Sequence, residues 1–428
     1  MNRRSSLAVV ATLGLTLVGC DFEVTNPGPT DDRFLDNPEA HQAMANGAAR
    51  QLFSALANVA YTTSAVSREL FPSGSTSSFG ISARQQRGLL EWDDEHINGP
   101  WVDAQQSRYI GESGFTRMGE TNPGGTSAYR PAVEAALWAG FANRLLGENW
   151  CEATIDAGPI VSREDMLRRA EEWFTTAITA AGSEPSLAEQ RTAAIAGRAA
   201  VRMHLGDWAG AVSDAGDVPT DFEFSANYES AQQSEYNRTY FAGASEPYRA
   251  VTVWNTVYED YGESGDPRTP WVETGQEGDA AVQMVNNSRV PFFRQEKFAE
   301  RGADIRLASG LEMRLIEAEQ LLRSGNVEGA FAIVNARRTE LGLDALDPAD
   351  ATEGWTMFKR ERGVEMWLEG RRLGDLYRWN EDGTPGSLHP METAGDPASY
   401  LDSGQDLCYP ISKSERESNP TIPNTPTG

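Results

Sequence analysis

The sequence predicts an all-α chain of stacked helical hairpins, interrupted by long irregular insertions. Three observations predict it. Alanine-rich stretches at 38–60 and 131–147 carry apolar residues at helical spacing. Two regions, 163–218 and 305–343, repeat one another around a glycine turn. A stretch at 361–379 sets opposite charges three and four residues apart, as on a helix face.

The elements follow in chain order. Arg3 and Arg4 precede an apolar run over 7–18 and then Gly19 and Cys20. A basic start, an apolar middle and small residues at a cut describe an export signal. The run is shorter than the roughly 20 apolar residues that cross a bilayer. A cysteine just past the cut can take a diacylglyceryl thioether, and its freed amine an acyl chain. Leu17-Val18-Gly19-Cys20 therefore resembles the lipobox of bacterial lipoproteins. Two or more chains, at about 0.8 kcal/mol per buried methylene, give stable anchoring. The expectation is a signal over 1–19, lipidation at Cys20, an extended Pro- and Asp-rich arm over 20–37, and one domain over 38–428.

Asn37 and Pro38 are a cap and a first-turn proline for the helix at 38–60. Residues 71–125 and 220–301 are rich in Gly, Ser, Asn and aromatics and are expected as irregular insertions. In the repeats, Gly206 precedes Ala211 and Gly325 precedes Ala330 by the same five residues. Glycine permits a tight left-handed turn, and the alanine lets the next helix pack closely. This resembles the tetratricopeptide helix-turn-helix unit, which must stack to bury its faces.

The net charge of −26 repels nucleic-acid phosphates and anionic headgroups, so no nucleic-acid partner is expected. With Cys20 lipidated, Cys151 and Cys408 remain. In an oxidising compartment they are expected as a disulfide, the other reading being two separate buried thiols. No Gly-x-Ser-x-Gly elbow, phosphate loop, His-Glu-x-x-His pair or dinucleotide glycine pattern occurs. His41, His96, His204 and His389 are scattered. Glu91, Asp93, Asp94, Glu95 and His96 lack the glycine pattern of a calcium loop and are read as a solvated acidic segment. No metal or cofactor is expected. The 63 acidic residues leave a glycosidase-like carboxylate pair open.

The C-terminal third carries an ordered set of segments. They are Arg306-Leu307-Ala308, the helix from Glu312 to Glu319, Val334 to Arg338, Leu341-Gly342-Leu343, and the run Glu361 to Trp379. Tyr409-Pro410-Ile411-Ser412 and Asn419-Pro420 follow, and Gly265-Asp266-Pro267-Arg268 precedes them. In that order, behind a lipobox, the chain is similar to the SusD/RagB family of outer-membrane nutrient-binding lipoproteins. The resemblance implies an all-helical fold of four tetratricopeptide-like repeats with variable insertions. It implies a surface-facing lid on a TonB-dependent (SusC-like) transporter, which takes up an oligosaccharide or peptide without chemistry or cofactor.

By analogy with the family, both insertions form the ligand face. Sugar binding needs flat rings and planar polar groups. Trp92, Trp101 and Tyr109 in the first insertion are candidates, as are Tyr258, Tyr261, Arg268 and Trp271 in the second. Trp92, Trp101 and Trp271 are preferred. Each ring has a competing role in packing a loop onto a helix. Along 361–379, Arg371–Asp375, Glu369–Arg372 and Asp375–Arg378 fit helix ion pairs, and Gly370 and Gly374 fit a close helix contact. Bracing the repeats is their expected role, as it is for Arg306, Glu312, Glu317 and Arg337. The alternatives to nutrient capture are a lipid-anchored hydrolase with paired carboxylates and a scaffold that binds no ligand.

Overall fold

A computed structural model describes residues 32–74, 81–244 and 248–426 of the chain, without the side chain of Glu95. The export signal and Cys20 lie outside the described residues, as does most of the arm. Among the described residues thirteen α-helices dominate, with four short antiparallel ribbons between them.

Asn37 Oδ1 accepts from the Glu39 amide at 3.1 Å and Pro38 fills the first turn, so α1 (Pro38–Val66) starts as the sequence dictates. It runs past Ala60 because Val59–Val66 is buried throughout. The expectation of an irregular insertion over 71–125 fails in its second half. Residues 95–121 form a long helix, α2 (Glu95–Thr121), capped by Asp94. Ile97, Trp101, Ala104, Phe115 and Met118 lie on one stripe at helical spacing. The glycines that suggested a loop serve packing instead. A Cβ at Gly111 would stand 2.8 Å from the Ala135 carbonyl oxygen of α3 (Arg130–Asn149).

The first repeat comprises α4 (Arg163–Ala181), α5 (Ala188–His204) and α6 (Trp208–Gly216). In the second insertion, α7 (Arg238–Gly243) and α8 (Val257–Glu263) are separated by loops and strands. The second repeat is α9 (Gly310–Arg323) and α10 (Val327–Glu340), followed by α11 (Ala351–Glu365), α12 (Arg372–Glu381) and α13 (Lys413–Ser418). Gly206 and Gly325 take φ of +76° and +80° at equivalent turns. Asp207 then caps α6 through the Gly210 amide at 3.0 Å, and Asn326 caps α10 through Gly329 at 2.9 Å. Ala211 and Ala330 are fully buried where the paired helices meet. α1 packs on α2 and α3, α3 on α4, α4 on α5, α5 on α6, α6 on α9, and α9 on α10 and α11.

The ribbons pair β1 (Phe71–Pro72) with β5 (Val251–Thr252), and β2 (Glu152–Thr154) with β3 (Ile160–Ser162). They also pair β4 (Glu223–Ala226) with β8 (Ile305–Ser309), and β6 (Trp271–Glu277) with β7 (Pro291–Gln295). Two of them, β1–β5 and β4–β8, therefore fasten the insertions to distant helix ends. Cys151 and Cys408 form a disulfide with Cα atoms 5.1 Å apart. Beside it Trp150 stacks on Tyr409 at 5.0 Å, and the Cys151 amide donates to the Tyr409 carbonyl at 3.0 Å.

The charged stretch at 361–379 is not one helix. α11 ends at Glu365, Leu368 and Gly370 take φ of +63° and +71°, and α12 starts at Arg372. Of the three expected pairs only Asp375–Arg378 forms, at 3.0 Å. The turn sends the other charges to different partners, buried except for the partly exposed Arg306. Arg371 reaches Glu148 at 2.8 Å, Glu369 takes Arg306 at 2.5 Å, and Arg372 takes Glu392 at 2.8 Å. Gly374 does give a close contact: its Cβ would stand 3.0 Å from the Glu148 carbonyl oxygen.

A buried ionic ladder runs from these residues through the helix stack. Glu148 also accepts from Arg144 at 2.5 Å, and Arg144 continues to Glu312 at 2.7 Å. Arg362 bonds Asp375 at 2.7 Å, and Arg378 reaches Glu319 at 2.9 Å. Burial alone raises the pKa of Glu148, but Arg144 and Arg371 outweigh it and hold the carboxyl well below the usual range. Glu69 is the opposite case. Burial raises its pKa to about 7, against hydrogen bonds from the Leu368 amide and the Ser67 hydroxyl and the charges of Arg372 and Lys297. It joins the end of α1 to the 366–371 turn.

Three outcomes follow. Glu148→Gln leaves Arg144 and Arg371 short of a counter-charge in the interior, so urea unfolding is expected to show a loss of about 3–5 kcal/mol. Glu417→Gln, in an exposed pair with Lys413 at 3.8 Å, is expected to cost under about 1 kcal/mol. For Glu69 the folded pKa of about 7 lies above the ordinary 4.5, so the folded state binds more protons between these values. Its contribution to stability is full below pH 4.5 and is lost as pH rises through about 7. The parent is therefore expected to lose stability relative to Glu69→Gln, on the order of 3 kcal/mol, across that window. A flat difference between the two unfolding curves contradicts this.

Candidate functional site

Arg68 leaves α1 with φ of +61° and is fully buried. Its guanidinium donates to three separate carbonyls: Ala65 at 2.6 Å, Gln86 at 2.7 Å and Ser399 at 2.6 Å. Met284 Sδ lies 3.8 Å from the same group. One side chain thus joins the end of α1, both insertions and a segment near the C-terminus. Burial pulls its pKa down to about 9.

Above Arg68 the three segments build an aromatic face. The guanidinium lies 5.3 Å from the centre of the buried Phe71 ring. Trp254 and Tyr400 meet Phe71 edge-on, at 5.3 Å and 5.7 Å between centroids. Both are half-buried, so each keeps ring surface toward solvent. Met284 and Val285 pack beside them. The backbone here is strained for non-glycine residues: Asn255, Asn286, Asn287 and Tyr400 take φ of +58°, +53°, +54° and +56°. Such conformations gather where surrounding structure enforces a functional shape.

The first insertion supplies the neighbouring edge. Leu90 donates its amide to Asp406 at 2.7 Å, and Arg87 pairs with Asp402 at 2.7 Å. Arg84 and Glu91 form an exposed pair at 2.6 Å, and Trp92 follows, half-buried. The acidic segment 91–96 is used locally, with Glu91 on Arg84 and Asp94 capping α2. Among the described residues no group of three or more His, Cys, Asp or Glu side chains is placed to hold a metal ion.

The structure disperses the rings chosen from sequence. Trp92 lies half-buried between the Arg84–Glu91 pair and the start of α2. Trp101 is a correction: at 1% exposure it is core, edge-on to Trp150 at 6.0 Å. Tyr258 is likewise core, stacked on Trp367 at 5.6 Å, with Tyr261 packed against the same core. Tyr109 is 57% exposed on α2, on a shallow cleft beside Ser414 and Ser418. Trp271 stacks on Phe293 at 4.8 Å and donates its indole N–H to the Glu259 carbonyl at 3.1 Å. Arg268 is held by Asp266 at 2.7 Å and Glu361 at 2.9 Å. Sequence reasoning missed Arg68, Phe71, Trp254 and Tyr400. Trp254-Asn255 and Asn286-Asn287 were available signals, since Asn tolerates the left-handed region.

Over residues 303–427 the chain matches the SusD family model. A SusD-like carbohydrate binding protein from Bacteroides vulgatus ATCC 8482 has the same fold at a TM-score of 0.66 and 15% identity, over 91% of this chain and 98% of that one. A SusD superfamily protein from Parabacteroides distasonis ATCC 8503 also gives 0.66, at 14% identity over 90% and 98%. A laminarin-binding SusD-like protein gives 0.63, at 15% identity over 90% and 99%. At these identities the likeness is one of fold. No curated protein sequence matches the chain. The C-terminal match and the fold shared along the chain agree: residues 303–427 match the SusD family model, and the chain has a SusD-like fold.

Proposed function

We propose that the loop face over Arg68 captures a nutrient oligosaccharide, and that the protein passes it to a TonB-dependent outer-membrane transporter. The observation that carries this reading is the convergence of three chain segments on one guanidinium beneath two half-buried rings. Flat rings suit the C–H faces of sugars, and a braced platform loses little entropy on binding. Similar proteins include one described as carbohydrate binding and one as laminarin binding. The −26 charge favours a neutral or cationic cargo. No helix among the described residues is long and apolar enough to cross a membrane, and a lipid at Cys20 is the anchor we propose.

Capture without cleavage is the reading the carboxylates support. Asp266 and Glu361 are committed to Arg268, and Glu361 also to Arg338 at 2.6 Å. Glu365 accepts from Arg337 at 3.2 Å. A glycosidase needs one acid kept neutral and the other carboxylate open to substrate.

A glycan and peptide array on the chain from Asp21 onward identifies the cargo class. Trp254→Ala is expected to weaken binding tenfold or more, about 1.4 kcal/mol, with an unchanged melting temperature. Arg68→Met is expected to lower both affinity and stability, since it strands the Ala65, Gln86 and Ser399 carbonyls. Intact affinity in Trp254→Ala, or release of shortened glycan, counts against capture at this face. Mass spectrometry of the mature N-terminus tests acylation at Cys20, and co-purification of a plugged barrel with the native protein tests delivery.

A further inference from the structure

A second cleft opens on the flank of α1, with a volume of about 880 Å³. This is within the range of small-molecule sites. Its geometry comes directly from the sequence of one helix. Asn46, Arg50, Ser54 and Asn58 recur every four residues and form a polar ridge. Beside it Ala49, Phe53 and Ala57 form a second ridge, whose alanines keep the floor deep. The opposite wall is the stretch from Asn227 to Arg238, which carries Gln233 and Tyr236.

The walls are fixed to each other. Tyr228 donates its hydroxyl to the Phe53 carbonyl at 2.9 Å, and Arg50 pairs with Glu235 at 2.8 Å across the mouth. Asn237 ties the far wall down through the Ala303 carbonyl at 2.9 Å. Tyr236 is half-buried, braced edge-on by Phe241 at 5.0 Å and by the Arg301 guanidinium at 5.2 Å. Gln51 and Gln233, by contrast, make no side-chain hydrogen bond among the described residues. They present carboxamide donors and acceptors into a largely polar space that also carries Tyr228, Tyr236 and Phe53. In a chain of net charge −26 the polar ridge on α1 is amide and hydroxyl apart from the neutralised Arg50.

Planar amides beside an aromatic ring, in a lining where Arg50 and Arg238 are balanced by Glu229 and Glu235, match a polyhydroxylated ligand without net charge. We propose that this cleft is a second binding site, for a neutral oligosaccharide. It does not depend on the loop face binding anything. At 1.5 Å of rise per residue, Phe53 in its lining is about 22 Å along the chain direction of α1 from Arg68, so the two sites do not overlap.

Hydroxyl-radical footprinting on the mature chain tests it, with maltohexaose, laminarihexaose and xylohexaose as probes and oxidation of Tyr236 as the readout. The expected result is that at least one hexasaccharide lowers labelling of Tyr236 twofold or more. The same protection is expected in Trp254→Ala and is expected to vanish in the Gln51→Ala/Gln233→Ala double variant, whose exchanged side chains bond nothing else. Circular dichroism and the melting temperature confirm that the double variant folds. Unchanged Tyr236 labelling with all three sugars overturns the proposal. So does protection that survives the double variant, or protection that disappears in Trp254→Ala.

Discussion

The helix stack depends on the buried charges that cross it. Arg144, Arg362, Arg371 and Arg378 alternate with Glu148, Glu312, Asp375 and Glu319 through the interior, four of each sign. Alanine-rich helices such as α5 bury little side-chain volume and slide against one another at small cost in contact area. Fixed ion pairs remove that freedom, because a shift in register separates opposite charges in a medium that screens them poorly. Buried ion pairs add little net stability over an apolar core, so their value here lies in specifying which helix meets which, and at what height.

The same ladder runs through the C-terminal third, which holds the family match. Its residues form the turn between α11 and α12, which reaches α3, β8 and the end of α1 at once. A substitution there disturbs several helices, whereas one in an insertion disturbs a loop. The loops are then available to vary, and the aromatic face and the α1 cleft are both built from them against the fixed stack.

Much of the helical framework was legible in the sequence. The turns at Gly206 and Gly325, with the alanines that follow, mark two hairpins because a positive φ and a small contact residue leave direct traces. The helix α2 was not, because Gly111, Gly114 and the serines around them imitate a loop until their neighbours α1 and α3 are known. The turn at Leu368 was equally hidden: leucine gives no warning of a left-handed backbone. These two misreadings account for the candidate site. With 95–121 taken as loop, Trp101 was an exposed ring; on a helix it is core. The rings that do form the face, Trp254 and Tyr400, are brought to Phe71 by Arg68, and nothing local to either marks that long-range arrangement.

Ser399 lies 331 positions along the chain from the arginine that donates to its carbonyl. The hairpins form through neighbouring contacts, but the aromatic face needs an element from each third of the polypeptide. Closing such long loops is the slow part of assembly. The aromatic face is consequently the last feature to take shape, after the hairpins on which it rests.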